Sequence, residues 1–533
     1  MENFTCINRK ILTNRIISFF YFFQIILFFL MVFRSEFLNA QIKFQKCFSY
    51  TNDNFFSSAV QVRDSGYVAA GVTSEDMWVV KTDPYGNPQW TKSYGGQFLD
   101  IASSIEQTND GGYIVSGFTE SFAADFYVVK IDSTGGYQWS KTFGDVYPDK
   151  SYEIHQTTDS GYILTGTLNE NSTIGANISL VKLDINGTMQ WEKTFGNPIR
   201  EDHANEVKQT TDGGYIIAGY TNLNGTSGKD IFIIKTDSIG NLEWTKVFYG
   251  PSDENAVSIL QKYDQGYLIG GYTSSNTTPV GNTQAFIIST DDSGNVQWAK
   301  TYGGPDTDQV YSIDKTSDSG FVATGPTTGF GANVRLSFAF KINGNGTQLW
   351  AKTYGNSNFV YTSFNSVRNT FDNGFIFSGY RDSSALHRAF LVKTDPNGNS
   401  GCVNSNIGLS TQSWTYLVTT MDSAGNGIQS TQPSTITSTP NLYQLILCVN
   451  VGIEENQVNK TCRLFPNPAQ SEINIDLPSD KLFEWEVLNI LGEKLTLEIH
   501  QSVINISGLS NGIYFLKIKQ GNKNYYQKFI KQF

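Results

Sequence analysis

Seven positions, each thirteen residues before an aromatic that recurs along the chain, carry Asn54, Asp100, Asp149, Asp202, Glu254, Asp308 and Thr362. Five of the seven are acidic. Five carboxylates around one mouth would make a negative field suited to a cation, an amine or sugar hydroxyls. The same side chains at the start of a strand could instead accept backbone N–H bonds inside their own loops, as Asx turns do. Other chemistry is thinly represented. The four histidines (His155, His203, His387, His500) form no HExxH, and the five cysteines (Cys6, Cys47, Cys402, Cys448, Cys462) form no CxxC. A zinc hydrolase therefore has no support, no Ser-His-Asp set is recognisable, and neither a metal nor a cofactor is expected.

The aromatics that set the count are Tyr67, Tyr113, Tyr162, Tyr215, Tyr267, Phe321 and Phe375, spaced 46 to 54 residues apart. Each follows an Asp-x-Gly turn. An alternating apolar run and a glycine come next ("GYIVSG", "GYIIAG"), then a second apolar run, usually ending in Lys ("FYVVKID", "IFIIKTD"). A further turn leads to Trp90, Trp139, Trp191, Trp244, Trp298 or Trp350. Strand-like segments at this period predict an all-β fold of four-stranded units, A to D, that cover their apolar faces by stacking around an axis. The seventh unit lacks its Trp strand, and "FQKCFSY" at 44–50 has the missing pattern with Phe44 in the Trp place. The expectation is a seven-bladed β-propeller over 41–402 whose N-terminal strand closes the last blade, followed by a small C-terminal β-sandwich. Cys47 and Cys402 would share that blade, so a disulfide between them and one between Cys402 and Cys448 are equal rivals.

The repeated Trp and Tyr are expected to pack blade on blade, and the repeated Asp to form turns. Recognition would fall on the D-to-A and B-to-C loops of one rim. A charge of −11, with only 16% charged residues, argues against a nucleic-acid partner, which would need clustered cations. Residues 1–40 read as a signal peptide: Lys10 and Arg15 precede an apolar run at 16–33, and Ala40 stands before Gln41. The run is also long enough to be an uncleaved anchor. Residues 403–459 read as a Ser/Thr-rich connection that can hold one hairpin.

Two resemblances follow from quoted motifs. "DPYGNPQW" resembles the tryptophan docking motif of quinoprotein dehydrogenase propellers, but Asp to Trp is one residue shorter here, a seven-fold ring departs from their eight, and an adjacent cysteine pair is lacking. "FPNPA", "LNILGEKL", "ISGLSNGIYFLKI" and "KFIK" in 460–533 resemble the type A C-terminal sorting domain of the type IX secretion system of Bacteroidetes. That resemblance implies that Pro466, Asn467 and Pro468 open the domain, that Gly492 sits in a central turn, and that Leu509, Gly512, Tyr514 and Lys517 belong to a terminal hairpin. It also implies export and the secretion machinery as partner. The resulting expectation is a secreted or cell-surface binding or adhesion module for a glycan or protein. The alternative is an exported polysaccharide-acting enzyme with its site at the mouth.

Overall fold

The computed structural model describes residues 41–451 and 463–531 except 50–52, 121–124, 145–146, 170–174, 197–199, 223–227, 276–281, 331–333, 356–360, 384–385, 403, 414–416, 420–422, 425–428, 432–435, 439–442, 466–468, 477–483, 490–493, 496, 498, 501–502 and 521–522. The expected signal segment, most of the B-to-C loops, and Pro466, Asn467, Pro468 and Gly492 lie outside the described residues. Every regular element described is a β-strand, and all strand pairing is antiparallel. The chain divides into two compact units, 1–451 and 452–533.

The first unit holds seven five-stranded sheets. Sheets 1 to 6 each contain four consecutive strands, as in sheet 2, with A at Asp100–Gln107, B at Tyr113–Thr119, C at Asp125–Ile131 and D at Tyr137–Gly144. Sheet 7 takes A, B and C from Thr362–Asn369, Phe375–Ser383 and Leu386–Thr394, and its D strand from the other end of the chain, Ile42–Ser49. Phe44 is wholly buried there, in the place expected from the Trp pattern.

The A–B turn is held by chemistry that the repeat carries in every sheet. In sheet 2, Asp110 accepts the Gly112 N–H at 3.0 Å, and Gly111 between them has φ +85°. The Asp of each turn also pairs with a buried lysine at 2.7–3.0 Å, from Lys81–Asp64 to Lys393–Asp372. In six sheets that lysine ends strand C. Sheet 5 has Ser289 there, and Lys262, two residues before its Asp264, supplies the ammonium from strand A's side. The pair survives by a change of donor, which marks the turn as a structural requirement.

Neighbouring sheets are joined by aromatic-on-glycine contacts. A Cβ at Gly135, Gly187, Gly240, Gly294, Gly346 or Gly398 would lie 2.6–3.0 Å from the Trp ring of the preceding sheet, and one at Gly86 would lie 2.7 Å from Phe44. These glycines also have φ between +72° and +79°, so no other residue suits either the turn or the ring against it. The same ring meets the strand-B aromatic of the next sheet, as in Trp139–Tyr162 at 5.9 Å and Phe44–Tyr67 at 5.6 Å. Edge-on pairs of this kind add about 0.5–1.5 kcal/mol beyond their burial. A glutamine near the end of strand A caps the preceding sheet's turn: Gln107 accepts from Arg63 N, and Gln61 of sheet 1 accepts from Phe371 N of sheet 7. Each joint thus repeats between sheet 7 and sheet 1.

The fifth strands come from the tail, where the sequence suggested a connection with room for a hairpin. Asn404–Asn406, Ser410–Ser413, Leu417–Thr419, Ser423–Ala424, Gln429–Thr431, Ile436–Ser438 and Tyr443–Val451 pair with the D strands of sheets 6, 5, 4, 3, 2, 1 and 7 in that order. The tail visits every sheet in reverse and covers its D edge. Cys47, on the D strand of sheet 7, is a free buried thiol, and burial pushes its pKa up to about 11. The Cys47–Cys402 disulfide is therefore not formed: Cys47 packs among Phe364, Phe377 and Phe390, while Cys402 is disulfide-bonded elsewhere.

In the second unit, two four-stranded sheets enclose a core of Ala469, Ile473, Val487, Ile504, Ile506, Tyr514, Leu516 and Phe529. Leu509 packs on this core, and Gly512 opens the terminal hairpin, Gly512–Gln520 with Lys523–Lys531. Tyr514 donates its hydroxyl to the Ser510 carbonyl at 2.8 Å, and Lys517 pairs with Glu486 at 2.9 Å.

Candidate functional site

The five carboxylates found by spacing are absent from the lining of the cavity that their strands form. Asp100, Asp149, Asp202, Glu254 and Asp308 are each no more than 1% exposed, as are Asn54 and Thr362 at the equivalent places. Asp100 accepts the Gly96 N–H and the Thr119 hydroxyl; Asp308 accepts Gly304 N–H and Thr327; Glu254 accepts Gly250 N–H, Thr273 and Ser275; Asp149 accepts Asn169 N–H. A Cβ at the glycine ending strand D would press on the carboxylate, as at Gly196 against Asp202 at 2.5 Å. These groups tie the end of one sheet's D strand to the start of the next sheet's A strand and, in several, to the end of that next sheet's B strand.

Their titration is displaced accordingly. Burial pushes Asp100 and Asp308 up to about 6, and burial with Glu254 and Asp253 nearby pushes Asp230 up to about 7. Between the ordinary carboxylate value near ~4 and these values, the folded chain holds protons that the unfolded chain has released. Their contribution to stability is therefore complete below about pH 4 and lost as pH rises through 6 to 7. Asp110 behaves oppositely: burial works against it, but hydrogen bonds from Thr108 and Lys130 hold it down to about 2, so its contribution is lost as pH falls through that value. The melting temperature at constant ionic strength is expected to peak at about pH 4–5 and decline toward pH 7.5. Replacing Asp100 and Asp308 together by Asn should flatten that decline; a melting temperature that climbs steadily from pH 5 to 7.5 would contradict the assignment.

The cavity lies three residues further along the same strands. In six sheets strand A carries a β-bulge, as between Ala102 and Ser104, which turns one unpaired residue off the ladder. The bulge residues Ser57, Ser103, Tyr152, Asn205, Val257 and Asn365, with Tyr311 of sheet 6, line a cavity of ≈ 260 Å³ together with Ser58, Glu153, Glu206, Ser258, Ser312, Ser366 and Arg368. All seven A strands contribute. Asn205 and Asn365 are braced by amide donation to the carbonyls of Ala256 and Phe56 in the next sheet, at 2.7 and 2.9 Å.

Beneath the bulge residues the seven-fold pattern breaks. One residue after the bulge, five sheets carry Ser and sheets 3 and 4 carry Glu153 and Glu206; three residues after it stand Val60, Glu106, His155, Lys208, Leu260, Asp314 and Arg368. Lys208 Nζ lies 2.6 Å from Glu206 Oε1, 3.3 Å from Glu153 Oε1 and 2.6 Å from His155 Nε2. Arg368 Nη2 reaches Glu153 at 3.5 Å, while its Nη1 donates to Ser312 Oγ at 3.1 Å. Despite burial, Lys208 and His155 hold the Glu153 carboxyl well below the ordinary range, and against the same burial Glu206 and Glu153 raise Lys208. Glu106 is also held low, by His155 against its burial.

Glu153, His155 and Glu206 present ligand atoms within 4.8 Å of one another, a spacing that fits a metal ion. The Lys208 ammonium stands among all three and supplies the positive charge itself. Glycoside hydrolysis needs a carboxyl kept protonated near neutral pH, whereas Glu153 is held ionised. The arrangement is suited to holding a polar ligand in fixed geometry. Counting back nine and seven residues from each recurring aromatic, instead of thirteen, would have exposed this break, because Glu replaces Ser at the first register and titratable residues replace Val or Leu at the second.

Residues 463–532 match the secretion system C-terminal sorting domain. The chain is accordingly exported by type IX secretion to the cell surface or extracellular space, with the secretion machinery as partner of its C-terminal segment. No curated protein matches the chain. Solved structures give loose likenesses at 9% identity. Sqt1 from Chaetomium thermophilum covers 66% of this chain and 99% of its own, with TM-score 0.35. The extracellular domain of a putative one-component system from B. thetaiotaomicron covers 93% and 100%, with TM-score 0.18. The V. cholerae biofilm matrix protein Bap1 covers 92% and 87%, with TM-score 0.20.

Proposed function

We propose that the exported unit is a seven-bladed β-propeller acting as a binding module, with its ligand site in the cavity where the A strands meet. The observation that carries this reading is that one cavity is lined from all seven sheets, and that the repeat breaks in that lining at Glu153, Glu206 and Arg368. A propeller closed between the seventh and first blades accounts for two independent features. The aromatic-on-glycine joint recurs between Phe44 and Gly86, and the tail passes from sheet 1 directly to sheet 7. Its strands begin at 404, 410, 417, 423, 429, 436 and 443, steps that span roughly 20–23 Å each when extended, a fitting distance between the outer edges of adjacent blades. The buried carboxylates at the strand-A starts are then structural ties, and ligand selection belongs to the cavity.

The test is a glycan-array and polysaccharide-hydrolysis screen of the purified full chain beside the Val257→Trp variant, whose indole would fill the cavity. Saturable binding without released sugar, abolished in the variant, is the expected result. Released sugar would replace the binding module by an enzyme, and binding indifferent to Val257→Trp would move the site off the cavity.

A further inference from the structure

We propose, building on the binding reading above, that the cavity accepts one neutral, hydroxyl-rich ring: a single pyranose residue. Ser58 and Ser366, on adjacent sheets 1 and 7, belong to the cavity lining and are 3% and 5% exposed, and their buried Oγ atoms have no hydrogen-bond partner in the protein. A buried hydroxyl left unpaired is costly, so these two atoms call for a ligand or a water that both donates and accepts. Sugar hydroxyls do both.

Charge selects the same class. The lining presents two carboxylates, Glu153 and Glu206, and the Arg368 guanidinium, with the Lys208 ammonium against both carboxylates. The carboxylates are already paired with cations, which leaves no bare charge for a small ion to neutralise, and each charged group still has capacity to hydrogen-bond a neutral hydroxyl. Size sets the limit: ≈ 260 Å³ is at or below the small end of ligand pockets, which run from about 300 Å³ upward, and admits one ring instead of a chain segment. Tyr311, fixed by donating its hydroxyl to Gln309 at 2.9 Å and accepting from Arg335 at 3.1 Å, places an aromatic side chain at that ring.

Titration of the full chain with methyl glycopyranosides of glucose, galactose, mannose and N-acetylglucosamine, followed by calorimetry or saturation-transfer NMR, tests this directly. At least one should bind at a single site, and the double variant Ser58→Ala/Ser366→Ala should weaken it by about tenfold or more. The variant should melt with the wild type, since neither hydroxyl has a protein bond to lose. A trisaccharide with the same terminal residue separates two sources: tighter binding indicates a glycan end, and exclusion indicates the free sugar. Displacement by acetate or methylammonium, with pyranosides inert, would overturn the neutral-ring class while leaving the cavity as the site. Pyranoside binding that survives both Val257→Trp and the double serine variant would overturn the cavity as well. Silence with every probe and on the array would overturn the binding reading itself.

Discussion

The Lys208→Met variant melts well below the wild type, with a loss of about 3–5 kcal/mol, the usual cost of removing one partner from a buried ion pair. Lys208 Nζ touches Glu206, Glu153 and His155, so methionine leaves the two carboxylates with only Arg368 and His155, both on the Glu153 side, as counter-charges. The loss should be smallest in mildly acidic solution, where protonation of either Glu relieves the repulsion. Zinc offers a sharper readout. In Lys208→Ala the space opens among the ligand atoms of Glu153, His155 and Glu206, so added Zn²⁺ should raise the variant's melting temperature and leave the wild type unmoved, as expected for a ligand bound only by the folded state. A variant that melts like the wild type would mean that the ammonium does not hold the floor together.

The same residues show where the sequence was readable and where it was not. Tyr113, Trp139 and Asp110 recur because each serves a joint or a turn that every sheet must make, and Phe44 could be placed in the seventh sheet because it fills a vacancy in that pattern. The thirteen-residue count found Asp100 and Asp308 for the same reason, and both are buried, accepting the N–H just past the preceding sheet's D strand. Glu153, His155, Lys208 and Arg368 escaped notice because they stand where repetition fails: Glu153 replaces the Ser of five other sheets, and the other three occupy a register with a different residue in every sheet. Lys262 illustrates the converse: a structural ion pair kept through a change of position, invisible to any column-by-column reading. The tail strands were unreadable for a different reason. Runs such as Ser423–Ala424 pair with the D strand, and backbone pairing leaves no mark on residue type.

Those tail strands carry the other large effect. A chain ending at residue 402 should be far more prone to aggregate than one ending at 451, and should melt lower by about 10 °C or more. Ending at 402 uncovers the D edges of all seven sheets at once, and bare edges are templates for pairing with other chains. Sheet 7 should suffer most. Its D strand, Ile42–Ser49, is the first described strand of the chain, paired on one side with Leu386–Thr394 and on the other with Tyr443–Val451 over its whole length. Without that second partner a strand joined to sheet 7 only by pairing and packing becomes the edge, and the joint made by Phe44 on Gly86 is held from one side. Restoring the strands only as far as 438, which covers sheets 1 to 6, should therefore recover solubility more than melting temperature, because the closing sheet still lacks its outer strand. Equal recovery of both would place the weak point elsewhere. The order of the chain gives this a consequence for export: the covering strands lie after all seven sheets and before the sorting domain, so the last segment to complete the fold is continuous with the one that carries the address.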